Sequence, residues 1–511
     1  MKKAYKYILV FAIMTSFISC DTFLEESPTK SASVVPKSLA DYEAILNNYT
    51  AFYSEPIMPI MFSTDDYELS TTLFNGFSRA YQPFNAIYGT WNMELAANES
   101  SRYSGWPDEW KKIFTANLVL EQIGGVDATA AEKANIIAEC HFIRAYSYFV
   151  LTNVYCLPYS DATKGELGLP IKASTSFSEN IERATLEETF AYIQSDLTKA
   201  LEIKKAFGKV NNLNNSWRAS TAAVNGFAAR FYLALNDYAL AQTYAQKALD
   251  EYNVLRNYNT DMRYSIIPAP ATIFNPGPTQ VNILYPYTHD QQTVFQDRLE
   301  FGEFYYLRMM NNPVWAYWPS QELLGKYDQT YDLRYKYHVV EGYSYTRGAV
   351  RPAYDYPGYI FFFKSDIPSG PSVSEMLLIK AECQVRQDKW AEGIATANIL
   401  RAKRMDASAP ANVINLSAAS KAEALTKVLD ERRRELPFVH RWYDIRRYNN
   451  NADTSDDVVM TRTFYPFNSS AIISSQAPVT TTLEKNSRKF AFPIPNEEIL
   501  IANGKLEQNK Y

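Results

Sequence analysis

The chain has 511 residues, 47% of them hydrophobic and 21% charged, a balance typical of folded globular proteins rather than disordered ones. Its net charge of −5 argues against nucleic acid as a partner, because phosphate binding needs a basic face. The 4 cysteines and 4 histidines have neither the density of a disulfide scaffold nor the spacing of a zinc site. A calcium site built from oxygen ligands alone would leave no such signature.

The N-terminus has the pattern of a bacterial secretory leader. Three lysines precede an apolar run at residues 7–18, which is too short to span a bilayer core of ~30 Å and fits the hydrophobic region of a signal peptide. Ser19 comes directly before Cys20, as in a lipobox, although Phe17 stands where a branched aliphatic residue is usual. We predict a lipoprotein signal peptide at 1–19 and lipid attachment at Cys20. The alternative is an incidental cysteine beside an ordinary cleavage site.

The next segment predicts a tether followed by the first helix. Residues 20–37 are polar and contain two prolines, as in a flexible linker. A helix is predicted from Ser38 to Asn48. Residues 49–104 mix proline, glycine, asparagine and aromatic residues, and are predicted to form loops that decorate a helical scaffold.

Three segments with apolar residues at helical spacing predict the helices that follow. They occupy residues 107–123, 131–155 and 185–203. The last of them begins with Thr185 and Glu188 in the register of a capping box.

Two later segments have the pattern of a helix, a tight turn and a second helix. They span residues 221–249 and 374–404, with turns predicted at 236–237 and near Asp388. Small residues at contact positions, with an aromatic residue after the turn, are typical of tetratricopeptide-like pairs. Because the two pairs lie far apart in the sequence, we predict a mainly α fold, a broken α-solenoid of such pairs with a large insertion.

The insertion covers about residues 252–372 and is rich in proline, glycine, tyrosine and asparagine, with short β-like runs such as 359–363. A structureless loop of this length would not suit a compact domain. We therefore predict an irregular, loop-rich subdomain that rests on the helices. Ligand contacts are usually made by loops on a rigid scaffold, so function is expected here.

The densest charge lies in residues 430–450, DERRRELPFVHRWYDIRRYNN. Helical spacing predicts ion pairs of Asp430 with Arg433 and Arg434, of Glu431 with Arg434, and of Arg432 with Glu435. A structural network is favoured over an active site, because the crowded arginines should keep all these carboxylates ionised. Pro437 is predicted to end the helix.

The chain lacks the marks of the common enzyme classes. It has no Gly-x-Ser-x-Gly motif, no P-loop and no Rossmann glycine fingerprint. A glycosidase needs two carboxyl groups at a defined separation across the sugar bond. Adjacent acids occur at 65–66, 187–188 and 497–498, but adjacency says nothing about that separation. We predict no enzymatic activity and no cofactor.

Aromatic residues in loops are a stronger indication of function than the acids. The chain has 38 tyrosines, 28 phenylalanines and 8 tryptophans. Sugar rings lie flat on tryptophan and tyrosine, while their hydroxyls bind asparagine, aspartate and arginine. Three loop segments combine such residues and predict a glycan site made of Asp66, Tyr67, Trp91, Asn92, Trp315, Tyr317 and Trp318. For each of these residues, packing in the core is the alternative.

Taken together, these segments resemble the SusD/RagB family of outer-membrane nutrient-binding lipoproteins. The resemblance covers nearly the whole chain and rests on the lipobox at Cys20 and on AECHFIRAYSYFVLTNVY, FAARFYLALNDYALAQTYAQKAL, SEMLLIKAECQV, ERRRELPFVHRWYDIRRYN and FAFPIPNEEILIANGKLEQNKY. The family usually has Phe-Glu-Gly before the Arg-Trp step, whereas this chain is one residue shorter between Phe438 and Trp442. It also has Asn503–Gly504 where the family tends to have Asn-Pro.

The resemblance implies a domain at 38–511, with a helical scaffold at about 38–251 and 373–450, the insertion between them and a C-terminal segment at 451–511. It implies four tetratricopeptide-like pairs packed on an irregular half that carries the glycan site. It also implies a lipid anchor in the outer membrane, exposure at the cell surface and a SusC-like TonB-dependent transporter as partner. The open alternatives are a peptide ligand, a glycoside hydrolase and a purely structural helical adaptor.

Overall fold

The computed structural model describes residues 36–76, 80–176, 178–269, 279–285, 295–311, 317–340, 356–361 and 366–511. Within these ranges the chain forms 21 α-helices and 13 short strands. The helices are α1 (Leu39–Leu46), α2 (Tyr49–Phe52), α3 (Pro59–Phe62), α4 (Thr71–Gly76), α5 (Pro83–Gly89), α6 (Met93–Ala96), α7 (Trp106–Gln122), α8 (Ala130–Tyr155), α9 (Leu186–Ala200), α10 (Thr221–Ala234), α11 (Tyr238–Glu251), α12 (Tyr258–Asp261), α13 (Phe295–Phe301), α14 (Gln321–Leu324), α15 (Leu333–His338), α16 (Val373–Arg386), α17 (Trp390–Arg404), α18 (Ala411–Ile414), α19 (Lys421–Glu435), α20 (Val439–Tyr448) and α21 (Asn496–Ile501).

The strands form one three-stranded sheet and several two-stranded ribbons. They are β1 (Ser54–Glu55), β2 (Leu167–Pro170), β3 (Arg183–Thr185), β4 (Lys209–Val210), β5 (Leu213–Asn214), β6 (Arg263–Ala269), β7 (Thr279–Tyr285), β8 (Met309–Asn311), β9 (Val339–Val340), β10 (Gly358–Tyr359), β11 (Asp366–Pro368), β12 (Met460–Phe464) and β13 (Val479–Leu483). The three-stranded sheet has the order β1–β8–β11, and the others pair β2–β3, β4–β5, β6–β7, β9–β10 and β12–β13. The mainly α fold class is confirmed.

Both predicted helix–turn–helix pairs are present. Helix α10 packs against α11, α16 packs against α17, and α11 also packs against α16, so the two pairs are neighbours in space. Asn236 and Asp388 have φ values of 60° and 65° and make the two turns. Asparagine and aspartate tolerate this left-handed conformation better than most residues. The small buried side chains of Ala241 and Ala245 let the paired helices approach closely.

The other predicted helices are also present, with the caps that their sequences indicate. In the capping box of α9, the Thr185 hydroxyl accepts a hydrogen bond from the Glu188 backbone N–H at 3.2 Å. The Glu188 carboxylate accepts one from the Thr185 backbone N–H at 2.8 Å. Helix α8 has the same arrangement between Thr129 and Glu132. Ser38 caps α1, which ends at Leu46.

The prediction of loops at 49–104 is wrong for much of that stretch. It contains the five short helices α2 to α6, and all four residues of α3 (Pro59–Phe62) are buried. Short helices of this kind lack the length that a periodic pattern needs. They are stabilised instead by burial of apolar side chains in the main core.

The insertion contributes β6 to β11 and a small apolar cluster of its own. Strand β8 runs parallel to β1, from the N-terminal part of the chain, and antiparallel to β11. Within the predicted β-like run at 359–363, only Tyr359 belongs to a strand among the described residues, in the β9–β10 pair. The cluster includes Tyr258, Leu307 and Leu333.

Several predictions concern residues outside the described ranges. These are the signal peptide at 1–19, Cys20, nearly all of the tether at 20–37, and Trp315. The division into scaffold, insertion and C-terminal segment stays a prediction. In the part of the chain that the structure does describe, no helix combines the length and the apolar character that crossing a membrane requires.

Candidate ligand-binding site

Two of the three predicted aromatic loops lie side by side. We call residues 65–70 and 317–322 the paired loops. Tyr67 forms an isolated antiparallel bridge with Pro319, and the backbone N–H of Glu68 donates to the carbonyl oxygen of Trp318 at 2.8 Å. The Ser320 hydroxyl donates to the carbonyl oxygen of Asp65 at 2.6 Å. Both loops were predicted from the sequence as parts of one site, and the fold places them next to each other.

The third predicted loop joins them through Arg462, which is buried on strand β12. Its guanidinium donates to the carbonyl oxygens of Phe62 at 2.5 Å, of Gly89 at 2.8 Å and of Tyr67 at 2.8 Å, and also to that of Thr64. Its central carbon lies 5.5 Å from the centroid of the Trp91 ring. Burial lowers the pKa of Arg462 to about 10, still far above neutral pH. The Arg462 side chain therefore links strand β12 to the backbone of residues 62–67 and of Gly89.

Two of the three predicted tryptophans are buried rather than exposed. Trp91 is 0% exposed and Trp318 is 3% exposed. The indole N–H of Trp91 donates to the Ser63 carbonyl oxygen at 3.1 Å, and that of Trp318 donates to the Ala80 carbonyl oxygen at 3.0 Å. Their rings therefore have no open face for a sugar in this conformation. Trp91 and Trp318 therefore pack in the core and position the loops. This is the alternative to ligand contact that the sequence left open for these residues.

The remaining predicted residues differ in burial. Asp66, Tyr67 and Tyr317 are buried. Asn92 is half-buried, and its side-chain oxygen accepts from the backbone N–H of Leu95 at 3.1 Å, which caps α6. Trp315 lies outside the described residues, so its role stays a prediction.

Two clefts are lined in part by the hairpin that β12 and β13 form. The first, which we call the hairpin cleft, has a volume of about 770 Å³, and its walls include Asn92, Asn98, Tyr465, Phe467, Asn496 and Tyr511. The second, which we call the loop cleft, has a volume of about 400 Å³ and is lined by the paired loops and by residues 459–463. Trp91 and Tyr67 therefore contribute to the walls of the two clefts although their side chains are buried.

The hairpin cleft offers the partly exposed rings that sequence analysis sought elsewhere. Tyr465 and Phe467 are half-buried, and Tyr511 is 49% exposed. The side-chain amide of Asn75 donates to the Tyr465 hydroxyl at 3.0 Å, and the Phe74 ring lies 5.8 Å from the Tyr465 ring. Partly exposed aromatic rings beside side-chain amides suit a ligand that has apolar faces and hydroxyl groups.

Sequence analysis missed these rings because it sought aromatics in the N-terminal loops and the insertion. The signal that could have found them is the run TFYPF at 463–467, in the predicted C-terminal segment. Phe464, the last residue of β12, is buried, whereas Tyr465, which follows the strand directly, is half-buried.

The arginine-rich segment forms a buried ion-pair network, as predicted, but several partners differ. Glu431 does pair with Arg434, at 2.6 Å. Asp430 pairs with Lys326 instead of Arg433 or Arg434. Arg432 pairs with Asp444, and Glu435 pairs with Arg404 and Arg334. Sequence spacing predicts only partners on the same helix, whereas the fold supplies closer partners from other elements. Helix α19 ends at Glu435, two residues before Pro437.

Two of the network's arginines hold the acidic end of the paired loops. Arg441 donates to both carboxylate oxygens of Asp65, at 2.8 and 2.7 Å. Arg433 donates to Asp66 at 2.6 Å and to Glu322 at 2.5 Å. Although burial opposes it, the guanidinium of Arg441, followed by that of Arg433, holds the pKa of Asp65 well below its usual range.

These contacts bear on the possible glycosidase pair at 65–66. Burial raises the pKa of Asp66, against the influence of Arg433. Its side chain is nevertheless fully buried, and its two oxygens accept from Arg433 and from the backbone N–H of Phe438. Such a carboxyl group cannot reach a glycosidic oxygen in the loop cleft.

Among the residues that the structure describes, no group of three or more histidine, cysteine, aspartate or glutamate side chains could hold a metal ion.

Comparisons with known proteins agree with this architecture. A SusD-like family described as "Starch-binding associating with outer membrane" matches residues 22–233. The SusD family itself, with RagB, matches residues 373–511. The chain belongs to the SusD/RagB family.

Relatives and solved structures extend over almost all of this SusD/RagB protein. The SusD-like protein P38 of Formosa agariphila is 22% identical, over 88% of this chain and 92% of its own length. A SusD superfamily protein from Bacteroides thetaiotaomicron has a TM-score of 0.61 at 18% identity, covering 93% of this chain and 100% of that one. A SusD-like carbohydrate binding protein from Bacteroides vulgatus has a TM-score of 0.57 at 16% identity, covering 92% and 97%. At these identities the structural likeness shows the fold alone.

Proposed function

We propose that this SusD/RagB protein binds an oligosaccharide at the cell surface without cleaving it and passes it to a SusC-like TonB-dependent transporter. Lipid attached at Cys20 would hold it in the outer membrane. The observation that carries the proposal is the hairpin cleft, where Tyr465, Phe467 and Tyr511 stand among side-chain amides. The family's description as starch-binding and its sugar-binding structural neighbour support the ligand class.

The shape and chemistry of the hairpin cleft support binding rather than catalysis. A volume of about 770 Å³ is within the range of pockets that enclose small ligands. Its walls offer rings and amides, which hold a sugar by stacking and hydrogen bonds. The adjacent acids at 65–66 are not among the residues that line this cleft, and they form ion pairs with Arg441 and Arg433.

Two other ligands or activities remain as alternatives. A peptide would also find rings and amides in the hairpin cleft, and it is the nearest alternative. A glycoside hydrolase is less well supported, because a working carboxyl pair must face the substrate.

Incubation of the mature protein with a panel of glycans and peptides tests the proposal. We expect one class of oligosaccharide to be retained and recovered at its original length. Release of shorter products would indicate a hydrolase, and retention of peptides alone would indicate the peptide alternative. Co-purification from native membranes tests the partner, since we expect a TonB-dependent transporter to remain bound after mild detergent extraction.

A further inference from the structure

The turn between α19 and α20 has an unusual backbone conformation. Phe438 has φ = 66° and ψ = −84°, and the backbone N–H of Val439 donates to the carbonyl oxygen of Pro437 at 2.9 Å. These values define a γ-turn of the rare, strained kind. Such strain persists only where the surroundings hold the residue in place, and it points to a role for that residue.

Contacts on both the ring and the backbone hold Phe438. Its ring is fully buried between Tyr317, at 5.6 Å between ring centroids, and Tyr359, at 5.2 Å. Its backbone N–H donates to Asp66 at 2.8 Å. Both Tyr317 and Asp66 belong to the paired loops.

The same carboxylate connects the turn to the wall of the loop cleft. Asp66 accepts from Arg433 on α19 through its other oxygen, at 2.6 Å. The carbonyl oxygen of Asp66 accepts from the backbone N–H of Ser320 at 2.7 Å. Asp66 thus touches α19, the strained turn and both of the paired loops.

We propose that Phe438 and Asp66 form a clamp by which the α19–α20 turn sets the shape of the loop cleft. Both are positioning residues: they fix the paired loops without touching a ligand. The clamp explains why an acidic loop residue is buried beside arginines rather than exposed to the cleft.

Hydrogen exchange measured on the folded protein tests the clamp directly. In Asp66→Asn we expect peptides covering 65–70 and 317–322 to exchange at least tenfold faster than in the unaltered protein. Glu431→Gln is the matched control: Glu431 is an equally buried carboxylate on α19 that pairs with Arg334, Arg401 and Arg434. In this control we expect the same peptides to exchange at the unaltered rate.

Two outcomes would overturn the clamp. In the first, the paired loops exchange equally fast in Asp66→Asn and in Glu431→Gln, which would indicate general loosening of the protein. In the second, the paired loops of Asp66→Asn exchange at the rate of the unaltered protein. If Asp66→Asn does not fold, Phe438→Gly replaces it, because glycine relieves the strain but releases the ring; unaltered exchange there would equally overturn the proposal.

Discussion

At the scale of single residues, Arg462 shows how a buried charge can organise loops. Its guanidinium binds four backbone carbonyl oxygens from two separate segments of the chain, 62–67 and Gly89. Buried carbonyl groups need such donors, because water cannot reach them. Sequence analysis gave no signal for this role, since it depends on contacts between residues hundreds of positions apart.

Replacement of Arg462 by methionine should strongly destabilise the protein. The variant keeps much of the side-chain volume but leaves four carbonyl oxygens without these donors, so we expect the free energy of unfolding to fall by at least about 3 kcal/mol. Urea denaturation measures this. Arg488→Met is the control, because its ion pair with Glu166 is well exposed and should contribute less than about 1 kcal/mol. Similar losses in the two variants would contradict the role of Arg462.

Replacement of Tyr465 tests whether the hairpin cleft binds the oligosaccharide. Tyr465→Ala should weaken oligosaccharide binding by about 1–3 kcal/mol, the range of aromatic anchors in interfaces. Isothermal titration calorimetry measures the change. Tyr244→Ala is the control, because Tyr244 stacks on Tyr232 on the helical scaffold and should leave binding unchanged. Unchanged affinity in Tyr465→Ala, with the fold intact, would remove this ring from the site.

At the scale of elements, the helix pairs could be predicted from the sequence more fully than the residues of the proposed ligand site. Periodic apolar residues and local turns such as that at Asn236 are encoded within short stretches. Partners such as Asp66 and Arg433 lie 367 positions apart, and no local rule joins them. Sequence likewise cannot distinguish a buried ring such as Trp91 from a half-buried one such as Tyr465, because both are aromatic residues near turns.

The ion pairs between helices predict an acid-dependent loss of stability. Glu382 on α16 accepts from Arg447 on α20 at 2.6 and 2.7 Å and from Arg386 at 2.7 Å. Burial opposes its ionisation, but Arg447 and then Arg386 lower its pKa from 4.5 to about 2. A carboxyl group with a lowered pKa binds fewer protons when folded than when unfolded in this range. Its stabilisation is therefore present above pH 4.5 and is lost as the pH falls towards 2.

Urea denaturation between pH 5 and pH 2 measures this contribution. We expect a loss of about 3 kcal/mol from Glu382, on the order of 1.4 kcal/mol for each unit of pKa shift. Glu382→Gln should be less stable near neutral pH and should lose less stability on acidification. A variant that keeps the full acid dependence would show that other carboxyl groups cause it.

At the scale of the whole molecule, the proposed ligand site lies at the C-terminal β12–β13 hairpin, beside residues from the N-terminal part of the chain. The β12–β13 hairpin contributes residues to both clefts, and Arg462 binds it to the N-terminal loops. The site thus combines residues from the two ends of the described chain. For this reason its position could be anticipated only in part from any single segment.

The proposed lipid anchor at Cys20 can be tested on the native protein. Mass spectrometry of material from native membranes should find Cys20 acylated and at the mature N-terminus. Cys20→Ser should release the protein from the outer membrane, since several acyl chains are needed for stable attachment. An unacylated N-terminus at another residue would contradict the lipid anchor but not the ligand-binding site.

A crystal structure of the mature protein with its retained oligosaccharide is the decisive test of the proposed binding site. We expect sugar rings in the hairpin cleft, in contact with Tyr465 and within hydrogen-bond distance of side-chain amides in its walls, with every glycosidic bond intact. An oligosaccharide bound away from the β12–β13 hairpin, or one cleaved in the crystal, would contradict it.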